Sequence, residues 1–174
     1  MENNDAITNI LTRASNRRFN PEIPVTDSQI ETLLRAAMAA PTAVNKRPWH
    51  FVVVRDRALL DGFGTSLPYC HMAKYAPAAI VVCGDSRRFL EGENSTIWVQ
   101  DLSAASENIL LAAHAMGLGA VWTSVYPYAE RVEAVRKLVD MSPLFVPFNV
   151  IPVGHSASPR PPMDKWDPSC VTYL

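Results

Sequence analysis

The sequence predicts one domain of mixed α and β structure spanning residues 1–174. Its length is that of an ordinary single domain, and 48% of its residues are hydrophobic, which is enough to build a substantial core. Some stretches place apolar residues at helical spacing and others are short, continuous apolar runs, with no internal repeat between them. This alternation is typical of helices packed on a β-sheet.

Two helices are predicted in the first forty residues. Ile7, Ile10 and Leu11 recur at helical spacing within 6–14, just before a basic run. Thr26 and Gln29 form a capping-box pattern that begins a second helix, which Pro41 ends. The apolar face of this second helix consists of Ile30, Leu33, Leu34, Ala37 and Met38.

Four apolar runs are predicted as strands. The ranges 49–54 and 78–84 are compact and rich in β-branched residues, as buried strands usually are. Further strands are predicted over 120–124 and 148–154. A charged stretch that begins at Arg55 joins the first two strands and is predicted as a surface helix.

The range 101–116 predicts the longest helix. Its apolar residues cover well over half of the circumference and alanine fills much of the rest, so this helix should be buried on nearly all sides. Its small side chains permit close approach by a neighbour, which includes a second copy of the chain. Gly117 is suited to cap its C-terminus.

The last part of the chain predicts a surface helix, a core strand and an irregular tail. The helix spans 128–139 and is amphipathic. The tail after His155 is rich in proline, so it cannot fold on itself and must lie along another surface. Its final residues, 170–174, are suited to adding a strand to a sheet edge.

Composition excludes several classes of function. With 16 basic and 17 acidic side chains, the chain has no overall field that would attract nucleic acid or an anionic membrane, and neither partner is expected. No apolar run is long enough to cross a bilayer and the N-terminus does not resemble a signal peptide, so a cytoplasmic location is expected. The three cysteines are widely spaced, which favours neither a disulfide framework nor a metal site.

The basic segment 13–19 is the first candidate site. It brings Arg13, Arg17 and Arg18 together with the hydroxyl of Ser15. Guanidinium groups and a small hydroxyl suit the oxygens of a phosphate monoester, and they would bind it without the glycine-rich loop that a chain with only 7 glycines lacks. A solvated basic turn that ends a helix is the alternative interpretation.

The loop 40–49 is the second candidate site. Two prolines bound it, its small residues let a flat ligand approach the backbone, and Asn45 can present a donor and an acceptor to a heterocycle. An ordinary connecting loop would show the same pattern.

The third candidate is the range 117–124, where a strand ends on the small polar residues Thr123 and Ser124. Its backbone amides could face a ring system, although a simple turn into a core strand is the alternative interpretation.

Four motifs in order resemble the nitroreductase-like FMN-dependent oxidoreductases. They are RASNRRF at 13–19, APTAVNKRPWHFVVV at 40–54, WVQDLSAASENILLAAHAMGLGAVW at 98–122 and FNVIPVGH at 148–155. The resemblance implies an α+β fold with a central mixed sheet of four to five strands around a long buried helix. It also implies a homodimer that exchanges its C-terminal tails and binds FMN at the subunit interface.

The resemblance also implies which residues contact FMN. Those near its phosphate and ribityl chain would be Arg13, Ala14, Ser15 and Arg17. Those reaching it from the second subunit would be Pro41, Thr42, Ala43 and Asn45. Those beside the ring would be Trp122, Thr123 and Ser124. Lys165 in the tail matches a phosphate-binding position, with Arg160 as the less favoured substitute. Relatives often have a basic or aromatic residue at Ala14 and two serines at Thr42 and Ala43.

The activity implied is ping-pong hydride transfer from NADH or NADPH to FMN and then to a small-molecule acceptor such as a nitroaromatic, a quinone or a free flavin. No catalytic side chain is expected, because the cofactor carries the reaction. Two alternatives stay open. One is a protein of the same fold that binds or degrades flavin without turning over a nicotinamide, and the other is a dimeric interaction protein without a cofactor.

Overall fold

The helices agree closely with the sequence prediction. The structure is a computed structural model that describes residues 5–158 and 161–174. Its helices are α1 Asp5–Thr12, α2 Asp27–Met38, α3 Arg57–Ser66, α4 Trp98–Ala115 and α5 Ala129–Leu138. Among the described residues, no helix is both long and apolar enough to span a bilayer.

Five strands form one sheet. They are β1 Trp49–Val54, β2 Ala78–Asp85, β3 Leu118–Ala120, β4 Thr123–Ser124 and β5 Phe145–His155. Their order is β1-β2-β5-β3, and β4 also pairs with β5. The expected strand number is confirmed, but the expected mixture of orientations is not, since each of these pairs is antiparallel. The chain leaves β1 through α3 and returns through a short turn, His71–Tyr75, that packs on α3, so β2 begins at the end of the sheet where β1 stops.

The prediction of a single strand over 120–124 is wrong. Ala120 pairs with Val153 and Thr123 with Val150, which leaves Val121 opposite Pro152. The Val121 N–H still donates to the Pro152 carbonyl at 3.3 Å. Proline has no N–H to return a bond, so the ladder is interrupted there and two short strands result.

Helices cover both faces of the sheet. Ile80 and Val82 of β2 pack on the side of α2 and α4, while Val81 and Cys83 pack on the side of α3 and α5. Successive side chains of a strand point to opposite faces. A strand between two helical layers must therefore be apolar throughout, and every residue of β2 except its terminal Asp85 is apolar or glycine.

Helix α4 is buried as expected. Only Gln100, Glu107 and Ala115 of its 18 residues are exposed. Its apolar side packs on the sheet, and α2 covers a second side, where Asn108 Nδ2 donates to the Ala36 carbonyl at 2.9 Å. The helix is thus the centre of one layer, and its remaining surface receives other segments of the chain.

Helix α1 is attached by polar contacts and leaves its apolar side exposed. Asn9 Nδ2 donates to the Leu111 carbonyl of α4 at 3.0 Å. The three apolar residues that predicted this helix, Ile7, Ile10 and Leu11, are all exposed in the single chain. Their helical spacing therefore does not reflect burial in this chain's own core.

The tail is extended and exposed, as predicted. A single helical turn, Pro168–Cys170, interrupts it. The range 171–174 pairs with no strand of the described chain, so the expected edge strand is not present within one copy. Met163, Trp166 and Tyr173 are exposed apolar side chains along this tail.

The capping box of α2 yields a stability prediction. The Thr26 hydroxyl accepts from the Gln29 N–H at 3.1 Å, and the Gln29 side chain accepts from the Thr26 N–H at 2.9 Å. Thr26→Ala is expected to lower the free energy of unfolding by about 1 kcal/mol, measured by urea denaturation. Thr32→Ala removes an exposed hydroxyl from the same helix without touching the cap. Equal losses in both variants would contradict the prediction.

Candidate functional site

The basic segment 13–18 is fixed between the sheet and α4. The Asn16 N–H donates to the Ala120 carbonyl of β3 at 3.0 Å. Its buried side chain donates to the Ser156 hydroxyl and accepts from the Arg18 N–H at 2.9 Å. Asn16 packs so closely on Gly119 that a Cβ there would lie 2.8 Å from the amide. Contacts within the chain, to β3 and to Ser156, therefore fix Asn16 in the middle of the basic segment.

The arginines of this segment differ in their partners. Arg13 is largely buried, and its Nε lies 3.2 Å from a carboxylate oxygen of Glu107 on α4. Arg17 and Arg18 are exposed, and neither forms an ion pair with any residue that the structure describes. An incoming phosphate would thus find the positive charge of Arg17 unpaired, whereas it would share Arg13 with Glu107.

An open pocket of about 380 Å³ lies beside these two arginines. Its other lining residues are Phe19, His71, Met72 and Tyr75. The rings of His71 and Tyr75 meet edge to face, with centroids 5.7 Å apart. The sequence did not predict that His71–Tyr75 lines a pocket beside Arg18. The two segments are more than fifty residues apart, and the residues of His71–Tyr75 match no known binding motif.

The loop 41–47 has an unusual backbone. Val44, Asn45 and Arg47 have positive φ angles of 43°, 56° and 49°. A β-branched residue rarely adopts this region, and such strain is often found where a chain meets a ligand. Val44 is also highly exposed. The loop therefore presents its residues outward instead of packing them on its own chain.

Side chains from distant parts of the sequence hold this loop. Asp101, in the first turn of α4, accepts from the Ala43 N–H at 2.9 Å. Within the loop, the Thr42 hydroxyl accepts from the Arg47 N–H at 3.1 Å. Thr42 and Ala43 are both predicted ligand contacts. In the structure the Thr42 hydroxyl and the Ala43 N–H also form hydrogen bonds within the chain.

The strand end 122–124 divides its side chains between the surface and the core. The indole N–H of Trp122 donates to the exposed Ser124 hydroxyl at 3.0 Å. The Thr123 side chain is buried instead, beside the Cys70 thiol. The side chain of Thr123 thus faces the core, and only its backbone remains available to a ring system.

The basic segment and the loop do not meet within one chain. The segment contacts α4 near Glu107 and His114, where Thr12 Oγ1 lies 2.9 Å from His114 Nε2. The loop contacts α4 at Asp101. At ~1.5 Å of rise per residue these positions lie roughly 9 to 20 Å apart along the helix, and they are on different faces. Within one chain, the basic segment and the loop are therefore attached to α4 at separate positions.

Beyond Ser158, the described part of the tail makes no hydrogen bond or ion pair to these segments. Lys165 is exposed and makes no ion pair with the described residues. Arg160, the alternative phosphate contact, lies outside the residues that the structure describes. In the described part of the chain, no group of three or more histidine, cysteine or acidic side chains could hold a metal ion.

Comparison with known proteins identifies the family. The model of the nitroreductase family matches residues 10–80 and 64–155. These ranges include all three candidate segments, and the tail lies outside them. The chain belongs to the nitroreductase family. It is accordingly an oxidoreductase of the nitroreductase type, and it carries this family's fold.

Individual nitroreductase relatives agree over nearly the full length. A protein of Methanothermobacter thermautotrophicus, provisionally named NADH dehydrogenase/NAD(P)H nitroreductase, is 48% identical over 168 residues, covering 96% of this chain and 85% of the relative. A crystal structure from Parabacteroides distasonis with the same provisional name has a TM-score of 0.92 and 44% identity, and the match covers 98% of each chain. A nitroreductase from Desulfovibrio desulfuricans, solved in complex with FMN, has a TM-score of 0.83 and 27% identity, covering 98% of this chain and 97% of that one.

The buried cysteines should be unreactive. Burial raises the pKa of the Cys70 thiol to about 11 and that of Cys83 to about 12, so both are protonated near neutral pH. In a Cys170→Ser variant, which removes the exposed thiol, we expect no labelling by a thiol reagent at pH 8 until the protein is unfolded. Rapid labelling of the native variant would contradict this burial.

Proposed function

We propose that this chain is an FMN-dependent NAD(P)H oxidoreductase that works by ping-pong hydride transfer. The observation that carries the proposal is the unpaired Arg17 beside an open pocket in a chain of the nitroreductase family. The FMN complex of the Desulfovibrio desulfuricans relative supports the choice of cofactor. When bound, FMN would supply the redox chemistry, taking a hydride from NADH or NADPH and passing it to a nitroaromatic, quinone or flavin acceptor.

The basic segment fits a phosphate monoester. Arg17 offers an unpaired guanidinium, Ser15 a small hydroxyl and Arg13 a guanidinium already oriented by Glu107. Charge-assisted bonds from such groups are strong and directional. We assign the FMN phosphate and ribityl chain to Arg13, Ala14, Ser15 and Arg17. Lys165 reaches the phosphate in the same proposal, since its exposed tail is free to dock on a second copy.

The ring would lie between two copies of the chain. We place Pro41, Thr42, Ala43 and Asn45 on the partner of a homodimer, because the loop and the basic segment of one chain are attached to separate positions on α4. The backbone of Trp122, Thr123 and Ser124 would face the ring. Amides placed there stabilise negative charge as it develops, and they exclude water from the reacting edge.

No side chain of the site is assigned as an acid or a base. Asp101 is engaged with the loop backbone, and the buried thiols stay protonated. The chain's part in the reaction is to bind, orient and shield, while protons reach the acceptor from solvent. The free cysteines fit a reducing, cytoplasmic location, and residues 1–174 would act as one domain.

The cofactor assignment can be tested by visible spectroscopy. Purified protein incubated with FMN and desalted is expected to keep the flavin absorbance, and Arg17→Ala is expected to weaken retention by about 1.5 to 3 kcal/mol because a charged hydrogen bond is lost. Arg35→Ala removes an exposed arginine on α2 whose one ion pair within the described residues is with Glu31, and it serves as the control. A colourless wild-type sample would overturn FMN binding, and equal retention in both variants would move the phosphate site.

The reductive half-reaction needs a separate test. Anaerobic mixing of the FMN-loaded protein with NADH or NADPH is expected to bleach the flavin absorbance. If the protein binds FMN and neither nucleotide bleaches it, the chain is a flavin-binding or flavin-degrading protein instead of a reductase. A screen of nitroaromatic, quinone and flavin acceptors with the reduced protein then identifies the second substrate.

The proposed homodimer predicts a role for the exposed side of α1. Ile10 is 53% exposed and lies between Ile7 and Leu11 on this apolar side. Ile10→Asp is expected to produce monomers in analytical ultracentrifugation and to lose FMN with them, because a buried charge without a partner opposes association. Leu144→Asp places the same charge at a leucine of similar exposure, 45%, outside α1. Dimers that persist in Ile10→Asp would remove α1 from the interface.

A further inference from the structure

The strained backbone of the loop 41–47 requires contacts that stabilise its conformation. Three of its residues occupy the left-handed region, and one of them is the β-branched Val44. Its side chains give little help, because Val44, Asn45, Lys46 and Arg47 are all exposed. The restraint must therefore come from hydrogen bonds to the loop backbone.

Asp101, in the first turn of α4, supplies such a hydrogen bond. It is only 7% exposed, and its Oδ1 accepts from the Ala43 N–H at 2.9 Å. No cation pairs with it among the residues 5–158 and 161–174. A buried carboxylate without a cationic partner is costly. Its place in the first turn of α4, where the helix dipole favours negative charge, offsets part of that cost.

The other end of the loop is bound to β2 by a backbone hydrogen bond and to the side chain of Arg88. Asp85 is buried at the end of β2, and its N–H donates to the Pro48 carbonyl at 2.8 Å. Arg88 lies 3.6 Å from the Asp85 carboxylate and donates to the Arg47 carbonyl at 3.3 Å. The loop is thus tied at its start to α4 and at its end to β2, and the strained residues lie between the two ties.

We infer that Asp101 is a positioning residue that forms the cofactor loop in advance, with Asp85 and Arg88 as the second tie. This inference rests on the proposed function, in which the loop contacts FMN across the subunit interface. A loop already in its bound shape loses less conformational entropy when the cofactor arrives. Asp101 would therefore strengthen FMN binding without touching FMN itself.

Two substitutions separate the hydrogen bond from the charge. Asp101→Ala removes the acceptor, while Asp101→Asn keeps an amide oxygen that can accept from the Ala43 N–H. Ser103→Ala is the matched control, since Ser103 lies on the same helix and its hydroxyl donates to the Val99 carbonyl of that helix at 2.7 Å. Amide exchange of Ala43 is measured by NMR on the protein without flavin, and the Kd for FMN is measured by fluorescence titration.

The expected result is a loss in Asp101→Ala that Asp101→Asn restores. Ala43 exchange should accelerate at least tenfold and the Kd for FMN should rise about tenfold in Asp101→Ala, as for a lost hydrogen bond to a charged group. Asp101→Asn and Ser103→Ala should both stay within about twofold of the wild type in both measurements. If the wild type does not bind FMN, the proposed function fails. The exchange of the Ala43 amide still tests whether Asp101 holds the loop.

Three outcomes would overturn the inference. Unchanged Ala43 exchange in Asp101→Ala would show that the bond does not hold the loop. Faster exchange with an unchanged Kd for FMN would show that the loop shape does not serve the cofactor. Equal losses in Asp101→Asn and Asp101→Ala would assign the effect to the negative charge. If Asp101→Ala fails to fold, Arg88→Ala tests the second tie by the exchange of Arg47 and the Kd for FMN.

Discussion

Helix α4 anchors both the basic segment and the loop of the candidate site. Its apolar sides are used by the sheet and by α2, so only its remaining surface and its ends can receive polar segments. The basic segment takes one of these places through Glu107, and the loop takes another through Asp101. The separation of the two groups is therefore a consequence of how completely this helix is buried.

Three acidic side chains near the candidate site have partners within the chain. Asp101 accepts from the loop backbone, Asp85 pairs with Arg87 and Arg88, and Glu107 pairs with Arg13. Arg17 and Arg18, which form no ion pair with the described residues, line the pocket. This division leaves positive charge where an anionic ligand would enter, in a chain whose overall charge is close to zero.

The sequence was informative wherever the signal is local. Helical spacing and the Thr26 capping box located α2, and β-branched runs located β1 and β2. Features that depend on distant residues were missed. The break between β3 and β4 comes from Pro152 on the opposite strand, and the antiparallel order comes from the way α3 returns the chain. The hydrogen bond from the loop to Asp101 could not be predicted, because a single acidic residue in the first turn of a helix is common.

The position of β1 at the end of the strand order has a consequence for solubility. Within the described chain it pairs only with β2, so its other edge offers a row of backbone donors and acceptors to any further strand. Its sequence, WHFVVV, contains no acidic residue, lysine or arginine and favours such pairing. Arg47 and Arg55 flank this strand. Arg55 is paired with Asp27 at 2.6 Å, so the exposed Arg47 is the flanking charge that opposes edge-to-edge stacking of identical copies.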